Sequence, residues 1–372
     1  MFSTESLTAV WLATSDEQAA GASRTIRRDY SDGGDTMANA NNTARAFLPR
    51  PAEQLTLPKP PISGPSESAF TTTFGTLLPP VQHLQTPVGK AAFYSLAPIT
   101  PTPTSSVNPP SRVLLLHGIQ TPALGLLPLT TALHESHPQV HFVLLDLWGH
   151  GLSDTPFLPH TPSLFHQLID GLLDHLSWPS AHFLGYSFAG ATTAGYVATR
   201  SDRVDSFVLV APAGLMRIKD FTAEEQTYFG GETGDEAQAH DWIINWLEDG
   251  GDLMPEDWRA RVGKGEVVPA AVRQWQKRQH PGHVASIVSM LRDGGALDGQ
   301  KVFAEAVRKD LGSLVVLGET DDVCSVTDLE EVGFKNVHII KGAGHGVVRE
   351  RVPEVSALIS TFWDGLQTET EV

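Results

Sequence analysis

The sequence predicts an α/β fold, a mostly parallel sheet covered by helices on both faces. Six short apolar runs, RVLLLHG, VHFVLLDLWG, AHFLGYS, DSFVLVAPAG, LGSLVVLGE and NVHIIKG, lack a clean polar/apolar alternation, as strands buried on both faces do. Stretches of helical spacing separate them, the rhythm of strand-helix-strand units. The 372 residues, 41% of them hydrophobic, suffice for a sizeable core.

In chain order, residues 1–66 come first. They are rich in Ser, Thr, Asn, Asp, Gly and Pro and end in PRPAEQLTLPKPPISGP, a composition that predicts a disordered or targeting tail. Met37 offers an alternative start. The core is expected over 67–214 and again over 300–372. It opens with TTTFGTL and KAAFYSL as short strands around a turn at Pro87 to Gly89, followed by the Pro-rich connector PITPTPTSSVNPP. Between the second and third of the six runs, Leu164, Phe165, Leu168, Ile169, Leu172, Leu173 and Leu176 recur at helical spacing, predicting a helix packed on the sheet. After AHFLGYS, the small-residue stretch FAGATTAGYVATRS reads as a helix.

The strand rhythm stops at Leu215 and resumes only past Ala296. Residues 215–299 hold the helical patterns DEAQAHDWIINWLEDG, VVPAAVRQWQKRQ and HVASIVSMLRDG, with Trp242 and Trp246 one turn apart. Such an insert would sit outside the carboxyl ends of the strands, where open sheets bind ligands, so a helical lid is expected. A structural excursion or a dimer surface is the alternative reading.

Charge and composition narrow the partners. Lys and Arg number 26 against 43 Asp and Glu, a formal net charge of −17, and no long basic run occurs. That argues against nucleic acid and anionic membrane surfaces and favours a small-molecule substrate. No apolar run approaches the roughly 20 residues of a membrane span. The single cysteine, Cys324, excludes an intramolecular disulfide. Together with the absence of a secretory signal pattern, this makes the cytoplasm the expected compartment, an organellar targeting role for the tail being the alternative. No HExxH spacing, cysteine cluster, Walker loop or helix-opening GxGxxG is present, so neither a metal nor a cofactor is expected.

The chemistry concentrates in three loops. In FLGYSFAG, Ser187 ends a buried strand just before a helix, the context in which a sharp corner lifts a hydroxyl above a sheet at a helix N-terminus. Gly185, Ala189 and Gly190 keep the corner small. The rival reading is a helix cap. A serine nucleophile needs a base, and the base needs an acid. VVLGETDDV supplies Asp321 after one strand, with Glu319 and Asp322 as other acids, and KGAGHGVV supplies His345 after the last. Each alone has an ordinary reading, Asp321 as a turn cap and His345 as a surface residue. Three strand-following loops carrying Ser187, Asp321 and His345 in that order form the pattern of a catalytic triad. Backbone amides of Ile119, past His117-Gly118, and of Phe188 are the expected oxyanion donors. His117 is expected to orient that loop, and Asp146, Gly149, Gly151, Ser153 and Asp154 to shape a turn.

These motifs together resemble the α/β-hydrolases with a helical lid after the sixth strand. The likeness spans about residues 70–366 and includes HGI at 117–119, the D-x-x-G-x-G-x-S-D turn at 146–154, GYSFAG at 185–190, APAG at 211–214, GETDD at 318–322 and GAGH at 342–345. It implies an eight-stranded, mostly parallel sheet with an antiparallel second strand, and Ser187, Asp321 and His345 as nucleophile, acid and base. Two departures stand, Ala189 where the family has glycine and the long N-terminal stretch. Similar proteins include esterases, lipases, lactonases, amidases, carbon-carbon bond hydrolases and haloperoxidases. Epoxide hydrolases and haloalkane dehalogenases of this fold use an aspartate nucleophile, which the serine disfavours.

The expectation is therefore a serine hydrolase cleaving a carboxylic ester or related acyl bond of a small apolar substrate through an acyl-enzyme. The alternatives are a carbon-carbon bond hydrolase or acyltransferase on the same triad, and a non-catalytic ligand-binding protein of the same fold.

Overall fold

The eight strands are β1 Gln82–Thr86, β2 Gly89–Leu96, β3 Arg112–Leu116, β4 His141–Leu145, β5 Ala181–Tyr186, β6 Val204–Val210, β7 Ser313–Gly318 and β8 Val337–Ile340. They form one sheet in the order β1-β2-β4-β3-β5-β6-β7-β8. Strand β2 runs antiparallel to β1 and β4, and the pairs from β4 through β8 are parallel. The computed structural model describes residues 45–51, 53, 57–100, 110–230, 235–248 and 254–366.

The unbroken apolar runs follow from this arrangement, because each central strand feeds two cores. In β3, Leu114 and Leu116 enter one cluster while Val113 and Leu115 enter the other. In β4, Val143 and Leu145 part from Phe142 and Leu144 in the same way. Helices cover both faces: α2 Leu127–Ser136, α3 Pro162–His175, α4 Phe188–Thr199, α10 Gln300–Arg308, α11 Val326–Val332, α12 Val347–Glu350 and α13 Val352–Leu366. Helix α3 buries Leu164, Phe165, Leu168, Ile169, Leu172 and Leu173 of the expected stripe, while Leu176 caps the helix and is partly buried. Each such side chain contributes about 1.5–3 kcal/mol by leaving water.

The region expected to hold a first strand over Thr71 to Leu77 is instead helix α1, Glu67–Phe74, and the first strand is Gln82–Thr86. Three contributions favour the helix despite its β-branched threonines. The Ser66 hydroxyl accepts the Ala69 amide, Gly75 closes the end at φ 63°, and Phe70 and Phe74, one turn apart, both pack edge-on against Trp275. The hairpin turn after Thr86 lies where expected.

Of the stretch read as a tail, residues 1–44, 52 and 54–56 lie outside the described residues. The remainder contacts the body. Ile62 bridges Thr155, Gly64 donates to Asp154, Arg45 pairs with Asp241 at 2.7 Å, and Arg50 pairs with Asp293 at 3.1 Å.

Between β6 and β7 lie helices α5 Ala223–Gly230, α6 Glu236–Glu248, α7 Trp258–Gly263, α8 Pro269–Gln279 and α9 His283–Asp293, followed by α10. Trp242 and Trp246 stack at 6.2 Å with planes 12° apart, against Tyr228, Phe229 and Phe221. Among the described residues no helix is long and apolar enough to cross a membrane.

Candidate active site

Ser187 occupies the corner between β5 and α4 with φ 54° and ψ −120°, a conformation that non-glycine residues rarely adopt. Backbone hydrogen bonds hold it there. The Ser187 amide donates to Val210 O at 3.0 Å, and Ser187 O accepts from Gly190 N at 2.7 Å and Ala213 N at 2.9 Å. Close packing explains the small residues. A Cβ at Gly185 would overlap the Ala189 carbonyl and the Thr193 hydroxyl, and one at Gly190 would meet Pro212 Cβ at 2.5 Å. The methyl of Ala189 is fully buried and accommodated, so the close approaches in the motif fall on Gly185 and Gly190.

The Ser187 side chain makes no helix-capping hydrogen bond. Its Oγ lies 2.9 Å from Nε2 of His345, in the loop after β8. His345 Nδ1 faces Asp321, in the loop after β7, at 3.2 Å from Oδ1 and 3.3 Å from Oδ2. A carboxylate only accepts, so Nδ1 carries the proton towards Asp321 and Nε2 is left to accept from the serine hydroxyl. The Asp321 side chain is 1% exposed, and its Oδ1 also accepts the Val323 amide at 2.9 Å. His345 keeps 27% of its side chain exposed, and so stays reachable at the rim. Another acid near this loop, Glu319, accepts the Gly342 amide at 2.9 Å instead.

Tyr186 adds a support that the sequence did not announce. Its ring lies 5.6 Å from that of His345, and its hydroxyl donates to His345 O at 3.2 Å. The guanidinium of Arg349 sits 5.3 Å from the Tyr186 ring centroid. An aromatic residue ending a buried strand reads as core, which hides such a role.

The loop after β3 passes close to the serine. A Cβ at Gly118 would lie 2.7 Å from Ser187 Cβ and 3.2 Å from Oγ, so only glycine admits this approach. Fully buried His117 braces the loop. Its Nε2 accepts the Leu147 amide at 2.9 Å, so its Nδ1 bears the proton and donates to Gly118 O at 2.7 Å. Burial lowers its pKa to about 4 and keeps it neutral. With the Gly118 carbonyl tied back, the trans peptide points the Ile119 N–H the opposite way. Phe188 is the first residue of α4, so its amide lacks an intrahelical acceptor.

The 146–154 turn is organised by Asp146, whose carboxylate accepts from Ala123 N at 2.9 Å, Leu152 N at 3.0 Å and Tyr94 OH at 2.9 Å. Burial pushes its carboxyl up to about 6. Ser153 Oγ donates to Asp146 O at 2.7 Å, and Asp154 accepts the Lys90 amide at 2.8 Å. Gly149 and Gly151 supply the positive φ values of 75° and 55°. Among the described residues no group of three or more His, Cys, Asp or Glu could hold a metal ion.

Comparison with curated protein sequences gives no significant match. Solved structures give many. An enol-lactonase from Burkholderia xenovorans LB400 is 17% identical with a TM-score of 0.54, covering 76% of this chain and 99% of its own. A carboxylesterase from Bacillus subtilis is 18% identical, TM-score 0.54, with 80% and 96% covered. A meta-cleavage product hydrolase from Pseudomonas fluorescens IP01 is 18% identical, TM-score 0.53, with 77% and 98% covered. At these identities the likeness is one of fold. The profile described as "Alpha/beta hydrolase family" matches residues 113–358, which span β3 to α13 and include all three loops of the site. The chain belongs to the alpha/beta hydrolase family.

Proposed function

We propose that the protein is a serine hydrolase that cleaves a carboxylic ester, or a related acyl bond, of a small apolar molecule through an acyl-enzyme. The observation that carries this reading is the bridge from Ser187 Oγ through the His345 ring to the buried Asp321 carboxylate.

In the proposed reaction Ser187 Oγ attacks the acyl carbon while His345 Nε2 takes its proton. Asp321 stabilises the imidazolium, and the amides of Ile119 and Phe188 hold the oxyanion. Collapse breaks the bond to the leaving alcohol, which receives the proton from His345. Water then attacks the acyl-enzyme with His345 again as base, releasing the acid and restoring Ser187. Residues 215–299 serve as the lid.

The test is turnover of nitrophenyl esters of increasing chain length. Wild type should hydrolyse them with a chain-length preference, and Ser187→Ala should lower kcat at least about 10⁴-fold. Equal turnover by the variant would refute the reading. An added alcohol acceptor that diverts the acyl group into a new ester would show transfer in place of hydrolysis.

A further inference from the structure

We propose that Gln276, on helix α8 of the insert, is a positioning residue for the oxyanion loop, and that through it the insert helps to set the geometry of the catalytic centre. This deepens the function proposed above and rests on it.

Gln120 follows Ile119 and has φ 71°, an unfavourable conformation for a residue with a side chain. Something must hold it there, and two groups do. Its amide donates to His150 Nε2 at 3.3 Å, and its carbonyl accepts from Gln276 Nε2 at 2.6 Å. The other end of the same side chain, Gln276 Oε1, accepts the Gly151 amide at 2.8 Å. One fully buried carboxamide thus bridges the loop after β3 and the loop after β4, each end using the group it alone can supply. His150 Nδ1 faces Trp148 O at 3.1 Å, so it bears the proton and leaves Nε2 free to accept.

The bridge does not stand alone. His280 Nε2 meets Ser153 O, His283 Nδ1 meets Gly149 O and Ser286 Oγ meets Trp148 O, each at 2.8 Å. These contacts fix α8 and α9 to the 147–155 turn, so the Gln276 carboxamide is presented from a rigid base. Among these insert contacts, that of Gln276 is the one that reaches the loop carrying Ile119.

The consequence is kinetic. If the Gln120 carbonyl loses its donor, the adjoining peptides relax towards ordinary φ, and the Ile119 N–H turns away from where an oxyanion forms. Deleting an oxyanion donor outright costs about 10²–10³-fold in rate, so misaiming one should cost between about 10- and 100-fold.

The test compares wild type with Gln276→Met, which conserves volume and removes both polar ends, by the saturation kinetics of fluorophosphonate labelling at Ser187. The maximal labelling rate should fall about 10- to 100-fold while the half-saturating concentration moves less than about threefold. Affinity for phenylboronic acid, whose tetrahedral adduct places an oxygen among the same donors, should fall in step. A folded variant labelling within twofold of wild type overturns the inference and leaves the serine hydrolase reading intact. A wild type that takes no label at Ser187 overturns both. If Gln276→Met fails to fold, Gln276→Glu keeps the acceptor for Gly151 and substitutes a carboxylate for the donor. Its labelling rate relative to wild type should be depressed at about pH 9 and recover as the carboxyl gains a proton. A ratio within twofold of one throughout overturns the inference.

Discussion

Acidification should unfold this protein at a pH where its surface carboxylates are still charged. The cause is a set of histidines folded away as neutral rings. His117, His160, His280 and His283 are all at most 2% exposed. Burial lowers them to about 4, 3, 4 and 3 respectively, from an ordinary value of 6.5. A depressed folded pKa gives stability that is present above 6.5 and lost as the pH falls below it, because the unfolded chain takes up protons that the folded chain refuses. At pH 5 each ring favours the unfolded chain by about 2 kcal/mol, so the four together cost about 8 kcal/mol. Asp146 acts with the opposite sign. Its raised pKa of about 6 returns about 1 kcal/mol at pH 5. The net loss of about 7 kcal/mol compares with a total domain stability of about 5–15 kcal/mol. Urea unfolding followed by fluorescence of the eight tryptophans, at pH 7.5 and pH 5 and fixed ionic strength, measures this. The midpoint should fall sharply, with a net uptake of about three protons on unfolding at pH 5, about four by the histidines less about one released by Asp146. A stability at pH 5 within about 1 kcal/mol of that at pH 7.5 would refute the reasoning.

Two other outcomes follow from packing and one from charge. Gly185→Ala places a methyl against the Ala189 carbonyl and should destabilise by about 3 kcal/mol in urea unfolding. Gly263→Ala, in open space at the end of α7, should be neutral or stabilising by about 0.5 kcal/mol. Equal effects at the two sites would contradict the close-approach account of the corner. Asp321→Asn should keep the fold, since an amide oxygen still accepts from Val323, yet lower kcat about 10⁴-fold by favouring the wrong His345 tautomer, as read from ester turnover.

The grouping of Ser187, His345 and Asp321 was legible because each stands in a recognisable local context. Ser187 stands between an apolar run and a small-residue helix, and Asp321 and His345 each follow a strand, so order and placement were readable without coordinates. Strands were readable because residues such as Val113 and Leu114 must satisfy opposite cores. Helix α1 was misread because its β-branched threonines obscured the Phe70 and Phe74 pair, whose partner Trp275 lies about two hundred residues away in sequence. Long separation also hid Gln276, whose partners Gln120 and Gly151 lie 156 and 125 residues away. Nothing in VRQWQKRQ distinguishes the glutamine that bridges two loops from its neighbour Gln274. The buried histidines were likewise invisible, since burial of a polar ring is decided by which carbonyls reach it, as Ser153 O reaches His280 and Gly149 O reaches His283.

The central claim is tested most directly by treating the protein with a fluorophosphonate and mapping the adduct by peptide mass spectrometry. The account predicts a single modification on Ser187, lost in Ser187→Ala and strongly slowed in His345→Gln. A modification on another residue, or an unmodified Ser187 in folded wild-type protein, would contradict it.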